Sequence, residues 1–571
     1  MTKKFPVHWL EEIINNISDR NVSNITLSTG KTPSGHIHLG ILREIIICDA
    51  LRRIFDKKKI IVKNLLFLDS LDAAKRFPAY IDASFQKLHR GKPFALIPCP
   101  FKDCGCESYA HHFGIELTST FKNFGIKSEI IWTHKLYKQK DMQEKIEIAL
   151  LNTEKIKKIL RKYILPTLEE EKQEIFLEMQ KSWMPVMAIC EKCDKIQHRE
   201  NDDSIKPNRV IKYNKKDKKA SYICSSCGHE GELSIDSGRL KLNWRVDWPA
   251  KWAIFKTTCE PAGKDHCVKG GSYDTGLELC QEIFGYQGPV KVAYEWLRLG
   301  DRDMKTSKGI IFTPNKYLEL ADPELFRTLI LRTNPMKHIS LRIEEIPQYH
   351  DYFERMENIY YGIEIADSRE EKEYFQYMYP LIKMDKINNK KINKIPLKDL
   401  IFLSQIQNIL SIERLHNKAN SIMASQNFEN KISLKDFNVL IQRTKNWVDE
   451  VKNIIQNQSD NKIKKNMMQK ISLFEIPENL DEKILNKLDI QQIRGITMVR
   501  EFLLNDENLN SDLIQNKIFK IAKETLQIAP KKLFEAIYQI LLGKKFGPRL
   551  GSFLLLLEKE WLLERLNINS L

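Results

Sequence analysis

The alternation of apolar and polar positions predicts a parallel β-α-β unit near the N-terminus. Residues 24–28 are the first strand candidate, and residues 60–68 are a second that is apolar enough to be buried on both faces. A turn rich in glycine and proline at 30–35 and a helical pattern over 39–55 lie between them. Because a helix connects the two runs, we expect the strands to pair in parallel.

The pattern changes three times along the rest of the chain. Residues 144–178 are strongly charged and helical in pattern, with a predicted break at Pro166. A polar, lysine-rich stretch with two Cys-x-x-Cys pairs occupies 184–242, and tryptophan, glycine and aspartate become frequent over 244–314. The last of these segments is predicted to return to the domain that the N-terminal unit begins.

Helical periodicity dominates the chain beyond Leu320. Residues 401–416 and 518–528 show it clearly, whereas the lysine- and asparagine-rich residues 388–398 predict a loop or linker. We therefore expect the C-terminal region to be all helical.

Charge and cysteine usage narrow the class of protein. The 571 residues carry a formal net charge of +16, which favours a polyanionic partner such as a nucleic acid, although a merely lysine-rich surface has the same charge. No secretory signal and no apolar run near the roughly 18 residues of a membrane span is present. Eleven cysteines are too sparse for a disulfide scaffold and indicate metal binding in a reducing cytosol. We expect a cytoplasmic protein with no membrane partner.

Two groups of cysteines have the spacing of metal ligands. The two Cys-x-x-Cys pairs, separated by 30 residues, predict a tetrahedral zinc site, with unmetallated thiols as the alternative. The ligands of this first site are Cys190, Cys193, Cys224 and Cys227. The second predicted site consists of Cys99, Cys104, Cys106 and His112, with His111 as a substitute for His112. Four protein ligands leave no open position for a catalytic water, so both zinc sites are predicted to be structural.

The turn after the first strand excludes one nucleotide motif and resembles another. Gly-Lys-Thr at 30–32 is not a P-loop, because Ile25 occupies the place of the required first glycine and Pro33 follows at once. His-Leu-Gly-Ile at 38–41 instead resembles the HIGH signature of class I aminoacyl-tRNA synthetases. The helix N-terminus that follows would offer N–H groups and partial positive charge to a phosphate.

The side chains of this signature suit a reacting nucleotide. His38 can donate a hydrogen bond to charge that develops on an α-phosphate, and Gly40 lets the nucleotide approach the backbone closely. Ile41 departs from the histidine or asparagine of many relatives and cannot donate. That interaction is therefore missing or is supplied by another residue, such as His36.

A second signature follows far along the chain. Asp-Met-Lys-Thr-Ser-Lys-Gly at 303–309 resembles the KMSKS loop of the same class. Lys308 would neutralise the triphosphate as pyrophosphate leaves, with Ser307 nearby. Asp303 stands where the loop has its first lysine, a change for which Lys305 would compensate. We expect both signatures to close over one triphosphate.

The blocks between the signatures resemble the class I lysyl-tRNA synthetase family. They read Trp-Arg-Val-Asp-Trp-Pro at 244–249, Glu-Pro-Ala-Gly-Lys-Asp-His at 260–266, Gly-Gly-Ser-Tyr-Asp-Thr-Gly at 270–276 and Tyr-Glu-Trp at 294–296. The resemblance covers residues 24–315, and only helical character matches beyond it. It implies a lysine–tRNA ligase that activates lysine with ATP and Mg²⁺ and transfers it to the terminal ribose 2′-hydroxyl of tRNA(Lys). A monomer is the favoured oligomeric state.

The resemblance also implies a role for individual residues. His38 and Lys308 are the expected catalytic residues. The expected ATP-binding residues are His36, Gly40, Asp265, His266, Lys305 and Ser307. The expected lysine-binding residues are Gly30, Thr32, Trp244 and Tyr294. Glu295 and Asp69 are candidates for the acidic partner of the lysine ammonium.

The expected fold class is α/β, a Rossmann-type parallel-sheet catalytic domain with a zinc-bearing insertion, followed by an all-α C-terminal domain. The catalytic halves are 1–92 and 244–320, the insertion that contacts the acceptor stem is 93–243, and the helical region that contacts the tRNA stem and binds the anticodon is 321–571. The alternatives are another class I synthetase of glutamyl or cysteinyl type, a catalytically silent RNA-binding paralogue, and a zinc-ribbon transcription or translation factor.

Overall fold

The computed structural model describes residues 8–199, 205–303, 311–426, 428, 430–471, 473–480, 482–506 and 508–568. Its strands are β1 Asn24–Lys31, β2 Ile61–Leu68, β3 Glu129–Trp132, β4 Val186–Ala188, β5 Gln197–Arg199, β6 Ile205–Pro207, β7 Arg209–Asn214, β8 Lys219–Ile223, β9 Glu230–Ser234, β10 Leu240–Leu242, β11 Cys259–Gly263, β12 Val290–Tyr294, β13 Leu297–Leu299, β14 Arg302–Asp303 and β15 Ile339–Leu341.

Helices account for most of the remaining described chain. They are α1 Leu10–Ser18, α2 Leu42–Lys57, α3 Ala83–His89, α4 Tyr109–Thr118, α5 Thr133–Leu136, α6 Lys140–Leu151, α7 Thr153–Ile164, α8 Glu170–Lys181, α9 Trp244–Phe255, α10 Lys264–Cys267, α11 Ser272–Phe284, α12 Pro314–Leu318, α13 Pro323–Arg332, α14 Ile346–Tyr360, α15 Arg369–Ile382, α16 Leu397–Ser404, α17 Ile412–Ser425, α18 Leu434–Gln456, α19 Asn461–Ile471, α20 Glu482–Leu485, α21 Ile490–Asn505, α22 Ser511–Lys520, α23 Pro530–Leu542, α24 Leu550–Leu556 and α25 Lys559–Arg565.

A parallel five-stranded sheet has the strand order β12-β11-β1-β2-β3. From β1 the chain moves outwards to β2 and β3, and it later returns to the other side of β1 to add β11 and β12. This order is that of a Rossmann-type, doubly wound sheet, in which ligands bind beyond the carboxyl ends of the strands where the direction reverses. The switch point lies between β1 and β11.

The predicted first unit is confirmed, with small changes at its ends. β1 extends three residues further than predicted, and a 3₁₀ turn at Leu39–Ile41 precedes α2. The last five residues of β2, 64–68, are buried, whereas Ile61 and Lys63 are exposed, so the strand is covered on both faces only in its second half. The crossover helix α2 is correspondingly buried along most of its length.

The insertion combines helices with an antiparallel sheet. The predicted break at Pro166 is confirmed, because a 3₁₀ turn at Leu165–Thr167 separates α7 from α8. The five-stranded sheet that follows has the order β10-β4-β7-β8-β9. Two Cys-x-x-Cys turns follow β4 and β8, so the sheet holds them in place.

Among the described residues beyond Leu320, helices and loops are interrupted by one short strand. β15 pairs in parallel with β13, and β13 pairs with β14 in a hairpin. A strand of three residues contains too few positions to show a period of its own, and only its pairing partner decides its conformation.

Two compact units divide the described residues. The first consists of Met1–Leu318, Asp322–Arg342 and Gln348–Asn389, and the second of Glu319–Ala321, Ile343–Pro347 and Lys390–Leu571.

The second unit shows only helices and loops in its described residues. The helical periodicity over 401–416 belongs to two helices, because α16 ends at Ser404 and α17 begins at Ile412. The Ser411 hydroxyl accepts from the Arg414 N–H, which starts α17 afresh. Among the described residues, none of the helices combines the length and the apolar character that crossing a membrane requires.

Candidate active site

The carboxyl ends of β1, β2, β11 and β12 meet at the switch point of the parallel sheet. The turn that carries the first signature leaves β1 there, and α2 begins beside it. The blocks at 260–266 and 294–296 arrive at the same edge as the ends of β11 and β12. The residues that the sequence places together in one site therefore lie on neighbouring strand ends.

His38 caps the turn that starts α2. Its Nδ1 accepts the Gly40 N–H at 3.2 Å, so the ring proton of the neutral form lies on Nε2 and can be donated. Burial, and then the positive charge of Lys31, lowers the pKa of His38 to about 4. A neutral hydrogen-bond donor therefore stands at the N-terminus of a buried helix.

The chain that follows the second signature lies beside His38. The Leu39 N–H donates to the Phe312 carbonyl at 2.7 Å, and Phe312 is buried. Lys305, Ser307 and Lys308 themselves lie outside the described residues, so their predicted roles stay predictions.

His36 contacts Glu116 on helix α4. Its Nδ1 lies 2.9 Å from the Glu116 carboxylate, and its ring packs on Tyr80 at 4.7 Å between centroids. The His36 N–H donates to the Tyr80 hydroxyl at 2.8 Å. Ile41 is buried in the core, so its side chain contributes packing at this position.

A network of buried charges lies beside the predicted lysine-binding residues of β1. The Thr32 hydroxyl donates to Asp72 at 2.6 Å, and a Cβ on Gly30 would lie 3.7 Å from Asp69 Oδ2. Lys251 reaches Asp69 at 2.7 Å and Asp247 at 3.1 Å. Burial raises the pKa of Asp69 to about 6 in spite of this partner.

This network contains more acidic than basic groups. Its carboxylates are Asp69, Asp72 and Asp247, and its ammonium groups are those of Lys241 and Lys251. The side chain of Asp72 is 34% exposed and that of Asp69 21%, against 6% for Asp247. The carboxylates of Asp72 and Asp69 are therefore partly open to solvent, whereas that of Asp247 is not.

Aromatic rings gather at the start of α9. Trp244 is 45% exposed at the start of α9, and the His266 ring lies 6.0 Å from it. The His266 Nδ1 is 2.9 Å from the Ser272 hydroxyl at the start of α11. Asp265, which precedes His266 in the short helix α10, is exposed. Trp252, by contrast, is fully buried and packs in the core.

The end of β12 holds the last predicted residue of the lysine pocket. The Tyr294 hydroxyl donates to Glu44 on α2, and burial raises the pKa of Glu44 to about 8. Glu295 accepts from Lys264 at 2.7 Å, so this candidate partner of the lysine ammonium already has a cation.

Several charged residues of this site were not singled out from the sequence. Glu260 on β11 accepts from Ser28, from Trp248 at 2.6 Å and from Trp252 at 2.8 Å. Burial raises the pKa of Glu260. Glu260 and Asp247 lie inside the motif blocks at 260–266 and 244–249. A charged residue between apolar neighbours was the feature of the sequence that could have indicated them.

The first cysteine group has the geometry of a zinc site. The four atoms of Cys190, Cys193, Cys224 and Cys227 lie within 4.8 Å of one another. Two of the Sγ–Sγ distances are 3.7 Å and 3.6 Å. A tetrahedron with Zn–S bonds of about 2.3 Å has edges of about 3.8 Å, so the sulfurs fit this metal.

The second group gathers three of its four predicted ligands. Cys99, Cys104 and His112 have ligand atoms within 4.8 Å of one another, whereas Cys106 is outside this group and its thiol contacts the Cys104 carbonyl at 3.8 Å. The buried Nδ1 of His112 has no hydrogen-bond partner among the described residues. Two soft thiols and an unpaired imidazole could hold a metal such as zinc, with three protein ligands in place of the four predicted.

A doubly wound sheet with a capped helix at its switch point is typical of nucleotide-binding α/β proteins. The family model for class I tRNA synthetases (K) matches residues 7–385, and the chain belongs to this family. The predicted family is thereby confirmed.

Three of the similar proteins match over nearly their whole lengths, and each of them is named lysine–tRNA ligase. The protein of Methanocaldococcus jannaschii is 32% identical over 98% of this chain and 100% of its own. Those of Methanococcus maripaludis and Methanosphaera stadtmanae are 32% and 30% identical, over 99% of this chain and 100% and 99% of their own.

Proposed function

We propose that the chain is a lysine–tRNA ligase. The observation that carries the proposal is the contact between Leu39 and Phe312 at the switch point, since it brings together the chain on either side of the predicted triphosphate site. Relatives of that name, similar over the full length, favour lysine over glutamate or cysteine as the amino acid.

The first step is adenylate formation. The lysine carboxylate attacks the α-phosphorus of ATP, a new P–O bond forms, and the bond to the β-phosphate breaks to release pyrophosphate. The neutral His38 donates its Nε2–H to the α-phosphate, and the N-terminus of α2 favours the negative charge there. Mg²⁺ accompanies the ATP. Lys308, with Lys305 and Ser307, is proposed to neutralise the leaving pyrophosphate.

The second step transfers the lysyl group. The terminal ribose 2′-hydroxyl of tRNA(Lys) attacks the adenylate carbonyl, and AMP leaves. No protein nucleophile is required, because alignment of the reactants and stabilisation of charge supply the catalysis.

The acidic network is proposed to bind the lysine ammonium. Three carboxylates face two protein ammonium groups, so a third ammonium would balance the charge beside Asp69 and Asp72. Thr32 orients Asp72 through its hydroxyl, Gly30 leaves room beside Asp69, and Trp244 and Tyr294 would enclose the aliphatic stem. Asp72 thus joins Asp69 as a candidate partner, while Glu295 is held by Lys264.

The remaining assignments concern ATP, tRNA and metals. His36, Gly40, Asp265 and His266 stay proposed ATP-binding residues. The insertion at 93–243 is proposed to contact the acceptor stem and the helical region at 321–571 to read the anticodon by stacking and base-edge contacts. Two structural zinc ions, a monomeric state and a cytosolic location, where thiols remain reduced, complete the proposal.

Lysine-dependent exchange between ATP and pyrophosphate tests this function. The purified chain is expected to incorporate labelled pyrophosphate into ATP with lysine and with none of the other nineteen amino acids. Exchange with glutamate or cysteine instead would reassign the substrate. Binding of tRNA without exchange on any amino acid would favour the silent paralogue.

Metal analysis tests the two cysteine groups. Elemental analysis of the intact protein is expected to find about two zinc ions per chain, and Cys224→Ser and Cys99→Ser are each expected to remove one. Cys280→Ser, which changes an isolated buried thiol, should keep both ions. A zinc content near zero in the folded wild-type chain would contradict both sites.

A further inference from the structure

Arg43 is a fully buried cation one turn beyond His38. It is 1% exposed, and its guanidinium group donates to backbone carbonyls of two separate segments. Nη1 reaches Glu295 at 2.5 Å and Trp296 at 3.5 Å, and Nη2 reaches Asn334 at 3.3 Å, Pro335 at 2.8 Å and Lys337 at 2.9 Å. A single side chain on α2 therefore organises two stretches of backbone that are distant in sequence.

These two stretches form the base of the second signature. The Glu295 N–H donates to the Pro335 carbonyl at 2.8 Å, and the chains then continue as the parallel pair β13 and β15. β13 turns into β14, which ends at Asp303, the residue where the second signature begins. Arg43 thus joins the helix of the first signature to the hairpin from which the second departs.

The same turn of α2 also contacts the predicted lysine pocket. Glu44, next to Arg43, accepts from the Tyr294 hydroxyl, and Arg43 holds the carbonyls of the two residues after Tyr294. Burial lowers the pKa of Arg43 to about 10, so the group is still a cation at neutral pH. Its planar fork of donors spans two segments in a way that the compact ammonium of a lysine does not.

We propose that Arg43 is a positioning residue, which holds the end of β12 and the 334–337 turn against α2 and so aligns the lysine pocket with His38. This inference rests on the proposed adenylate-forming function. Arg43 itself touches no reactant, and its loss should lower the rate of the chemical step more than it weakens substrate binding.

Arg327 provides a matched control for burial and bonding. It is 0% exposed and donates to the Phe124 carbonyl at 3.1 Å and the Leu381 carbonyl at 2.6 Å, besides pairing with Asp49 at 2.9 Å. None of these partners belongs to the signatures or the motif blocks. A lysine at either arginine position keeps the charge and removes the fork.

The test compares Arg43→Lys with Arg327→Lys in the full chain, with rates normalised to the folded fraction. For Arg43→Lys we expect kcat of lysine-dependent exchange to fall about 100-fold and KM for ATP and lysine to change less than about 3-fold. Hydrogen–deuterium exchange should accelerate at 295–303 and 334–341. Arg327→Lys should keep kcat and accelerate exchange only near Phe124 and Leu381.

Two further measurements distinguish failure of the Arg43 proposal from failure of the proposed function. If Arg43→Lys does not fold, Arg43→Ala refolded with guanidinium ion replaces it, and recovery of the fold without recovery of exchange overturns the proposal. An unchanged kcat, an equal loss in Arg327→Lys, or unaltered deuterium uptake at 295–303 also overturns it. A wild-type chain without lysine-dependent exchange would instead refute the proposed function, while the deuterium uptake still decides whether Arg43 holds these segments.

Discussion

His38→Ala is expected to slow lysyl-adenylate formation by about 10²- to 10³-fold, the range seen when one hydrogen-bond donor to a developing anion is removed. The Nε2–H that would reach the α-phosphate is lost, while the surfaces proposed to bind tRNA are untouched. Rapid-quench measurement of the adenylate should show the loss, and the dissociation constant for tRNA should stay within the error of the wild-type value. A reverse pattern would remove His38 from the catalytic residues.

Two comparisons sharpen this prediction. Lys308→Ala should also slow adenylate formation far more than it weakens tRNA binding. His36→Ala should cost less than His38→Ala, because the His36 Nδ1 is occupied by Glu116. An equal loss would mean that His36 supplies the interaction that Ile41 cannot make.

The contribution of His38 to the rate of adenylate formation should not change between pH 6 and pH 9, because its pKa is about 4.

Asp49→Asn is expected to lower the free energy of unfolding of the first unit by about 3–5 kcal/mol, the cost of breaking a buried ion pair from one side. Asp49 is 0% exposed and contacts Arg327 at 2.9 Å, Arg53 at 2.8 Å and Arg52 at 2.8 Å. The asparagine keeps the shape but leaves the buried Arg327 without its counter-charge. Urea unfolding followed by tryptophan fluorescence measures the difference.

Asp56→Asn is the control for this variant. Asp56 lies on the same helix and pairs with Arg52 at 2.5 Å, but its side chain is 48% exposed, so a loss below about 1 kcal/mol is expected. Similar losses in both variants would show that burial is not the cause.

The free energy of unfolding should depend on pH because of the same buried ion pairs. Burial alone would raise the pKa of Asp49, but Arg327, Arg53 and Arg52 outweigh it and hold the pKa below its ordinary value. The stabilisation is therefore complete above the ordinary aspartate pKa of about 4 and is lost as the pH falls through the lower folded value. Asp49→Asn should remove this part of the acid dependence, and an unchanged acid profile would contradict it.

The parallel unit and the helical region could be predicted because long, regular elements repeat their pattern many times. β2, α2 and the break at Pro166 follow from apolar runs, period and proline geometry. β15 and the gap between α16 and α17 escaped prediction. Three residues carry no measurable period, and apolar residues on both sides of a turn imitate one continuous helix.

The same distinction between local patterns and long-range contacts applies to the candidate site. Sequence could select His38, Thr32, Trp244 and Tyr294, because their motifs are local. It could not show that Glu295 is held by Lys264, since that contact joins residues 31 positions apart across two strand ends. Nor could it identify the role of Arg43. The partners of this side chain are main-chain carbonyls, which every residue has, so no residue type indicates them.

The amino-acid sequence by itself determined the family, the first parallel β-α-β unit and the first group of thiols, because each depends on residue type at fixed spacing. Only the tertiary structure decided which charges neutralise one another and which segments meet at the switch point. Those outcomes depend on which strand ends the crossovers of the parallel sheet bring together, and desolvation at that edge then sets the pKa of each group it buries.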